Sequence, residues 1–127
     1  MLNYKTYSFE KLDVWQDIRK FVKKIYKITG TFPKEERFGL VAQMRDAVIS
    51  VSNNVSEGTS RFTMKQQARF TEISYSSLME VLNELITSFD LEFIQESTLI
   101  DCRIDIDCIS NKLGQLHQSQ VRRMVKK

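Results

Sequence analysis

The residues with the most obvious chemistry lie near the C-terminal end, where the sole histidine closes the run Lys112-Leu113-Gly114-Gln115-Leu116-His117. A cation to hold a phosphate and an imidazole to move a proton, about a turn apart on one helix, are the parts a helical ribonuclease needs. Here the cation is lysine, where arginine would grip a phosphate with two donors. His117 also falls where polar residues take over, so it reads as a solvent-facing histidine at a helix end. The di-metal carboxylate sites of helical bundles need Glu-x-x-His on two helices, and no Glu-x-x-His occurs. A single histidine excludes the common multi-histidine metal sites. The nucleophile elbow, phosphate loop and dinucleotide fingerprint are absent too. These patterns give no catalytic residue, no metal and no cofactor, and the chain is read as a non-enzyme. Cys102 and Cys108 lie six residues apart on one expected helix, about 9 Å between Cα atoms at ~1.5 Å rise per residue. That is beyond disulfide reach, so both are expected to be free thiols packed as small hydrophobes in a reducing compartment.

Binding chemistry has more to work with. Arg19, Lys20, Lys23, Lys24 and Lys27 share the polar side of the first helical pattern. Arg61, Lys65 and Arg69 surround a later turn, and Arg122 and Arg123 open a basic tail that ends in Lys126 and Lys127. Few aromatic residues accompany them, although Phe62 adjoins Arg61, so the pattern favours phosphate contact without base readout. The formal net charge of +3 conceals a strong asymmetry: residues 1–69 carry +6, residues 70–121 carry −7 and residues 122–127 carry +4. Two readings follow. The basic surfaces engage RNA or DNA, or the basic half engages the acidic half within the fold or across subunits.

A third group is polar and uncharged for most of its length. The run Ser50-Val51-Ser52-Asn53-Asn54-Val55-Ser56-Glu57-Gly58 continues an apolar row from Val41, Met44 and Val48 and a polar row from Gln43 and Asp46. Both rows step by three and four, so one helix carries two faces. Ser50, Asn53 and Asn54 are placed to bond across to a neighbouring helix or subunit. Glu57 and Gly58 are expected to end the helix, with glycine as its C-cap.

The elements that must position these groups follow from periodicity. One Pro and four Gly in 127 residues, with 42% hydrophobic and 28% charged residues, suit long helices around one core. The first helix runs from about Leu12 to Thr29 on Val14, Ile18, Phe21, Ile25 and Ile28, and Gly30 to Pro33 turn the chain, with Gly30 as a left-handed cap. The second begins near Pro33 to Arg37 and reaches about Ser56. The third runs from about Met64 to Phe89, opened by a Thr63–Gln66 capping box, with Met64, Ala68, Thr71, Tyr75, Leu78, Leu82, Leu85 and Phe89 in four-three alternation. The fourth follows Ser97 or a neighbour, on Leu99, Cys102, Ile106, Ile109, Leu113 and Leu116. Beyond His117 the apolar partners thin out, and residues 118–127 are expected to fray as a basic tail. Short connections place successive helices side by side, which gives an all-α, antiparallel up-down-up-down four-helix bundle as one domain, with the bundle at about 9–117. Phe38, Ala42, Ile49, Ser52 and Ser56 form a second stripe on the second helix and point to a subunit contact.

The motifs Phe9-Glu10-Lys11-Leu12-Asp13-Val14-Trp15-Gln16, Ile25-Tyr26, Phe32-Pro33, Glu36, Phe38-Gly39-Leu40, Gln43-Met44-Arg45, Ser50 to Gly58, Arg61, Arg69-Phe70 and Ser77-Leu78-Met79-Glu80 resemble, in order, the four-helix-bundle family of 23S ribosomal RNA intervening-sequence proteins. The resemblance covers about Phe9 to Ile94 and fades in the fourth helix. Ser56 replaces a usual alanine, and Asn53 a common serine. The resemblance implies a small bacterial protein assembled as a ring-shaped homopentamer. It also implies kinship in fold to the accessory protein of diversity-generating retroelements, which binds nucleic acid and a reverse transcriptase. No catalytic residue comes with it.

The expected function is therefore a non-enzymatic oligomer that binds RNA or DNA phosphates or scaffolds a ribonucleoprotein. The alternatives are a protein-binding adaptor with an unidentified protein partner and, behind it, a helical-bundle ribonuclease. No apolar run approaches the length of a membrane span and the N-terminus lacks a signal peptide's apolar region, so the expected location is cytoplasmic with no membrane partner.

Overall fold

The computed structural model describes residues 3–125, and the chain forms four long helices without strands among them. A 3-10 turn at Ser8–Lys11 leads into α1 (Asp13–Thr29). Val14, Ile18, Phe21 and Ile25 are buried along α1, as their spacing requires, and Phe9 packs edge-on against Trp15 at 5.0 Å between ring centroids. Gly30 keeps helical backbone angles (φ −63°), so no left-handed cap ends α1. The end is held from outside. Arg45 donates to Thr29 Oγ1 at 3.0 Å and to the Tyr26 carbonyl at 3.2 Å, with its guanidinium over the Tyr26 ring at 4.5 Å. A cation on the last carbonyls of a helix satisfies both the orphan acceptors and the dipole.

The second helix starts later than its acidic residues imply. Lys34–Glu36 make a 3-10 turn, and α2 runs Leu40–Thr59. It continues past the expected stop, with Gly58 inside the helix and buried. A Cβ at Gly58 would sit 3.0 Å from the Cβ of Phe70, so close helix approach, and not a turn, favours glycine there.

α3 (Met64–Asp90) starts where the capping residue predicts, with Thr63 Oγ1 accepting from the Gln66 amide at 3.2 Å. Its buried face is rotated from the expected heptad row. Ala68, Thr71, Ser74, Ser77, Leu78, Val81, Glu84, Leu85 and Ser88 are buried, while Tyr75 is 42% exposed. The serines can enter the core because each hydroxyl finds a partner. Ser74 donates to the Val51 carbonyl at 2.8 Å, Ser77 meets Ser50 at 2.8 Å, and Ser88 donates to the Glu84 carbonyl at 2.7 Å. Small polar side chains let α2 and α3 approach closely.

After a connection that includes Glu92 at φ 63°, α4 spans Glu96–Val125. The segment from residue 118 to 125 is helical, contrary to the fraying expected of it, because Gln120 is buried and bonded to α3. Lys126 and Lys127 lie outside the described residues. The helices neighbour one another in the cycle α1–α2–α3–α4–α1 around a shared core of Ile18, Ile25, Met44, Val48, Leu78, Leu85, Ile106, Ile109 and Leu113. Among the described residues no helix is long and apolar enough to cross a membrane.

Candidate nucleic-acid interface

The cycle of helices divides the predicted basic residues into two groups. α1 and α3 are not neighbours, so Arg19, Lys20, Lys23, Lys24 and Lys27 lie away from Arg61, Lys65 and Arg69. The start of α3 meets the end of α4 through Thr71–Gln120 and Glu72–His117 contacts, both 2.8 Å. This places Arg61, Lys65, Arg69, Arg122 and Arg123 at one end of the bundle, all exposed and none in a salt bridge among the described residues. The Arg61 guanidinium lies over the Phe70 ring at 4.5 Å, and Phe62 beside it stands fully in solvent.

The α1 group is less free than its sequence suggests. Lys24 reaches across to α4 and pairs with Asp101 at 2.5 Å and Asp105 at 2.6 Å. Burial works against its ammonium, but the hydrogen bonds to the two carboxylates outweigh it and raise its pKa above that of an ordinary lysine. Lys24 thus ties α1 to α4 and is removed from the phosphate-binding set. Lys112 makes the reciprocal tie to Asp17 at 2.6 Å, a hydrogen bond that raises its own pKa. The acidic half does neutralise part of the basic half inside the fold. Lys20, Lys23 and Lys27 remain exposed, and Arg19 stacks on Trp15 at 5.6 Å.

Lys112 and His117, the pair considered for RNA cleavage, face different helices. Lys112 pairs with α1, whereas His117 Nε2 donates to Glu72 Oε2 on α3 at 2.8 Å. The Glu72–His117 pair stands beside a cleft of about 320 Å³ between α3 and α4. Forty-five residues separate the two, and only the packing of α3 on α4 brings them together.

The polar run on α2 is divided between core and surface. Ser50 bonds to Ser77 on α3, and Asn54 donates to the Ser50 carbonyl at 2.8 Å and its hydroxyl at 3.0 Å. Asn53 and Glu57 are exposed and make no link to another helix among the side-chain hydrogen bonds described. The cysteines differ as well. Cys102 is buried, and burial pushes its thiol up to about 11, whereas Cys108 is exposed. The expectation of two packed thiols thus holds for Cys102 alone. Among the described residues no three His, Cys, Asp or Glu side chains converge as a metal site would require.

One buried acid has no counterpart in the sequence reading. Glu84 is 5% exposed and its Oε1 has no hydrogen-bond partner among the described residues. Burial, with the nearby charges of Glu80 and Asp46, raises its carboxyl to about 7. Its position on α3 looks like a polar flank in the sequence, and only the rotated core face brings it inside.

No curated protein matches the chain in sequence. A 1.70 Å crystal structure from Bacteroides thetaiotaomicron, of a protein with unknown function from the S23 ribosomal protein family, has a similar fold. Its TM-score is 0.77 at 16% identity, over 83% of this chain and 95% of that one. At that identity the likeness is one of fold. The sequence profile of the 23S rRNA-intervening sequence protein family matches residues 10–115, and the chain belongs to that family.

Proposed function

We propose that the protein is a non-enzymatic, antiparallel up-down-up-down bundle, assembled as a homopentameric ring, that holds RNA or DNA by its phosphates. The observation that carries this reading is the gathering of Arg61, Lys65, Arg69, Arg122 and Arg123 at one end, without carboxylate partners among the described residues. Arginine and lysine in such a set neutralise phosphates and release counterions, whatever the sequence. Lys20, Lys23 and Lys27 offer a second basic surface on α1. Opposed helix directions are supported by paired positions such as Met44 with Ser88 and Ser50 with Ser77. Subunit contact is supported by large apolar side chains left in solvent, Phe38 at 91% and Ile104 at 62% exposure. A ring would multiply the modest field of one chain into avidity.

Binding of the purified oligomer to structured RNA and duplex DNA, measured across a salt series, tests the reading. Affinity should fall steeply with salt and change little with sequence when the target is duplex. Replacing Arg61, Lys65 and Arg69 with glutamate should lower it at least tenfold and flatten the salt slope. Absence of binding at low salt would sink the reading. An intact ring without nucleic-acid affinity would favour the protein-binding adaptor.

A further inference from the structure

The cleft between α3 and α4 lies at the basic end but is not built for phosphate. Glu72, the half-exposed Tyr75, Ser76, Gly114 and His117 line it, over the buried Thr71 and Leu113. A Cβ at Gly114 would meet nothing within 4 Å, so the absent side chain leaves open space. His117 Nε2 donates to Glu72 Oε2, which ties the carboxylate to α4 and leaves Oε1 without a partner from His117. The site therefore sets an aromatic ring, open space at Gly114 and a carboxylate acceptor together at the basic end.

We propose that this cleft receives one unstacked guanine of a single-stranded segment. The proposal rests on the nucleic-acid reading above and gives it a base preference at one position. Single-strand recognition proceeds by stacking a splayed base on an aromatic ring and bonding its Watson–Crick edge. A carboxylate can only accept. Guanine alone among the four bases presents two adjacent donors on that edge, N1–H and the 2-amino group. Adenine and cytosine each set one amino group beside a ring nitrogen lone pair, and uracil sets one N–H between two carbonyl oxygens. Each of these turns a lone pair toward Glu72. Tyr75 supplies the stacking face, Glu72 accepts from guanine, and His117 positions Glu72.

Fluorescence anisotropy at low salt with three single-stranded RNA pentamers tests this. One carries guanine at the centre of four adenines, the second carries inosine there, which lacks the 2-amino group, and the third is all adenine. The guanine strand should bind about tenfold more tightly than the other two, in the range of a good bidentate base contact. Glu72→Gln, which confronts guanine with a donor, and Gly114→Leu, which fills the open space at Gly114, should each bring it down to the adenine strand, with helical content by circular dichroism unchanged. Equal binding of all three strands overturns the guanine site and leaves the phosphate reading standing. Inosine binding as tightly as guanine, or variants that keep the preference, also overturns it. Failure of all three strands to bind, with structured RNA still bound, overturns the guanine site alone, and failure of structured RNA as well overturns both.

Discussion

Thr71 donates its hydroxyl hydrogen to Gln120 Oε1 at 2.8 Å inside the seam between α3 and α4. The bond holds the final turns of α4 against the bundle, although the sequence there has lost its apolar row. Gln120→Ala should lower stability by about 1 kcal/mol, the usual worth of such a bond plus a small unfilled space. Urea denaturation checks it. A chain stopped after His117 should lose more, and an unchanged midpoint would show that the last turns do not matter.

Gly58 is predicted to tolerate at most a methyl group. Alanine would gain about 1 kcal/mol of helix propensity, but its Cβ would lie 3.0 Å from a Cβ of Phe70, an atom fixed to the α3 backbone. Phe70 would have to give way by a few tenths of an ångström. Gly58→Ala should be neutral to mildly destabilising, and Gly58→Val should cost about 2–3 kcal/mol through overpacking and its β-branch. Thermal melts of the two variants would report the difference.

Glu84 gives stability a defined pH dependence. Its folded pKa of about 7 stands above the ordinary 4.5, so the folded state binds the proton more tightly than the unfolded chain. The penalty from this group is absent below pH 4.5, grows as the pH rises toward 7 and is complete above it. Glu84→Gln should therefore stabilise the protein by about 3 kcal/mol above neutrality, and the advantage should vanish on acidification through that window. Denaturation of both proteins between pH 4 and 8 measures the difference directly, and a pH-independent gap would contradict the buried ionisation.

Lys24 and its neighbours should separate folding from binding. Lys24→Met removes the tie to Asp101 and Asp105 and should lower stability by about 0.5–1 kcal/mol, as partly exposed pairs do, with RNA affinity little changed. Lys20→Glu with Lys23→Glu should do the opposite, weakening RNA binding with little effect on the melting temperature.

The four helices were legible because their apolar residues recur at three and four and because Thr63 announces α3. The face that α3 buries was not legible. Ser74, Ser77 and Ser88 count as polar in any pattern, and only their hydroxyl bonds to α2 and to their own helix admit them to the core. Tyr75 fits the heptad and yet faces solvent. For the interface, residue type identified the cations but not their fate, since Lys24 and Lys23 look alike until α4 presents two aspartates to one of them. The Glu72–His117 pair was hidden by sequence distance. His117 had a nearby lysine in the chain, and its actual partner lies on another helix.

The serine bonds and the glycine contact between α2 and α3 also bear on how the molecule comes apart. Ser74 and Ser50 are fixed to particular groups on the facing helix, so neither helix can slide by a turn without breaking them. α1 is joined to α4 partly through ion pairs open to solvent. Slow hydrogen exchange should therefore persist longest in the amides of α2 and α3, while α1 opens first as a separate cooperative unit.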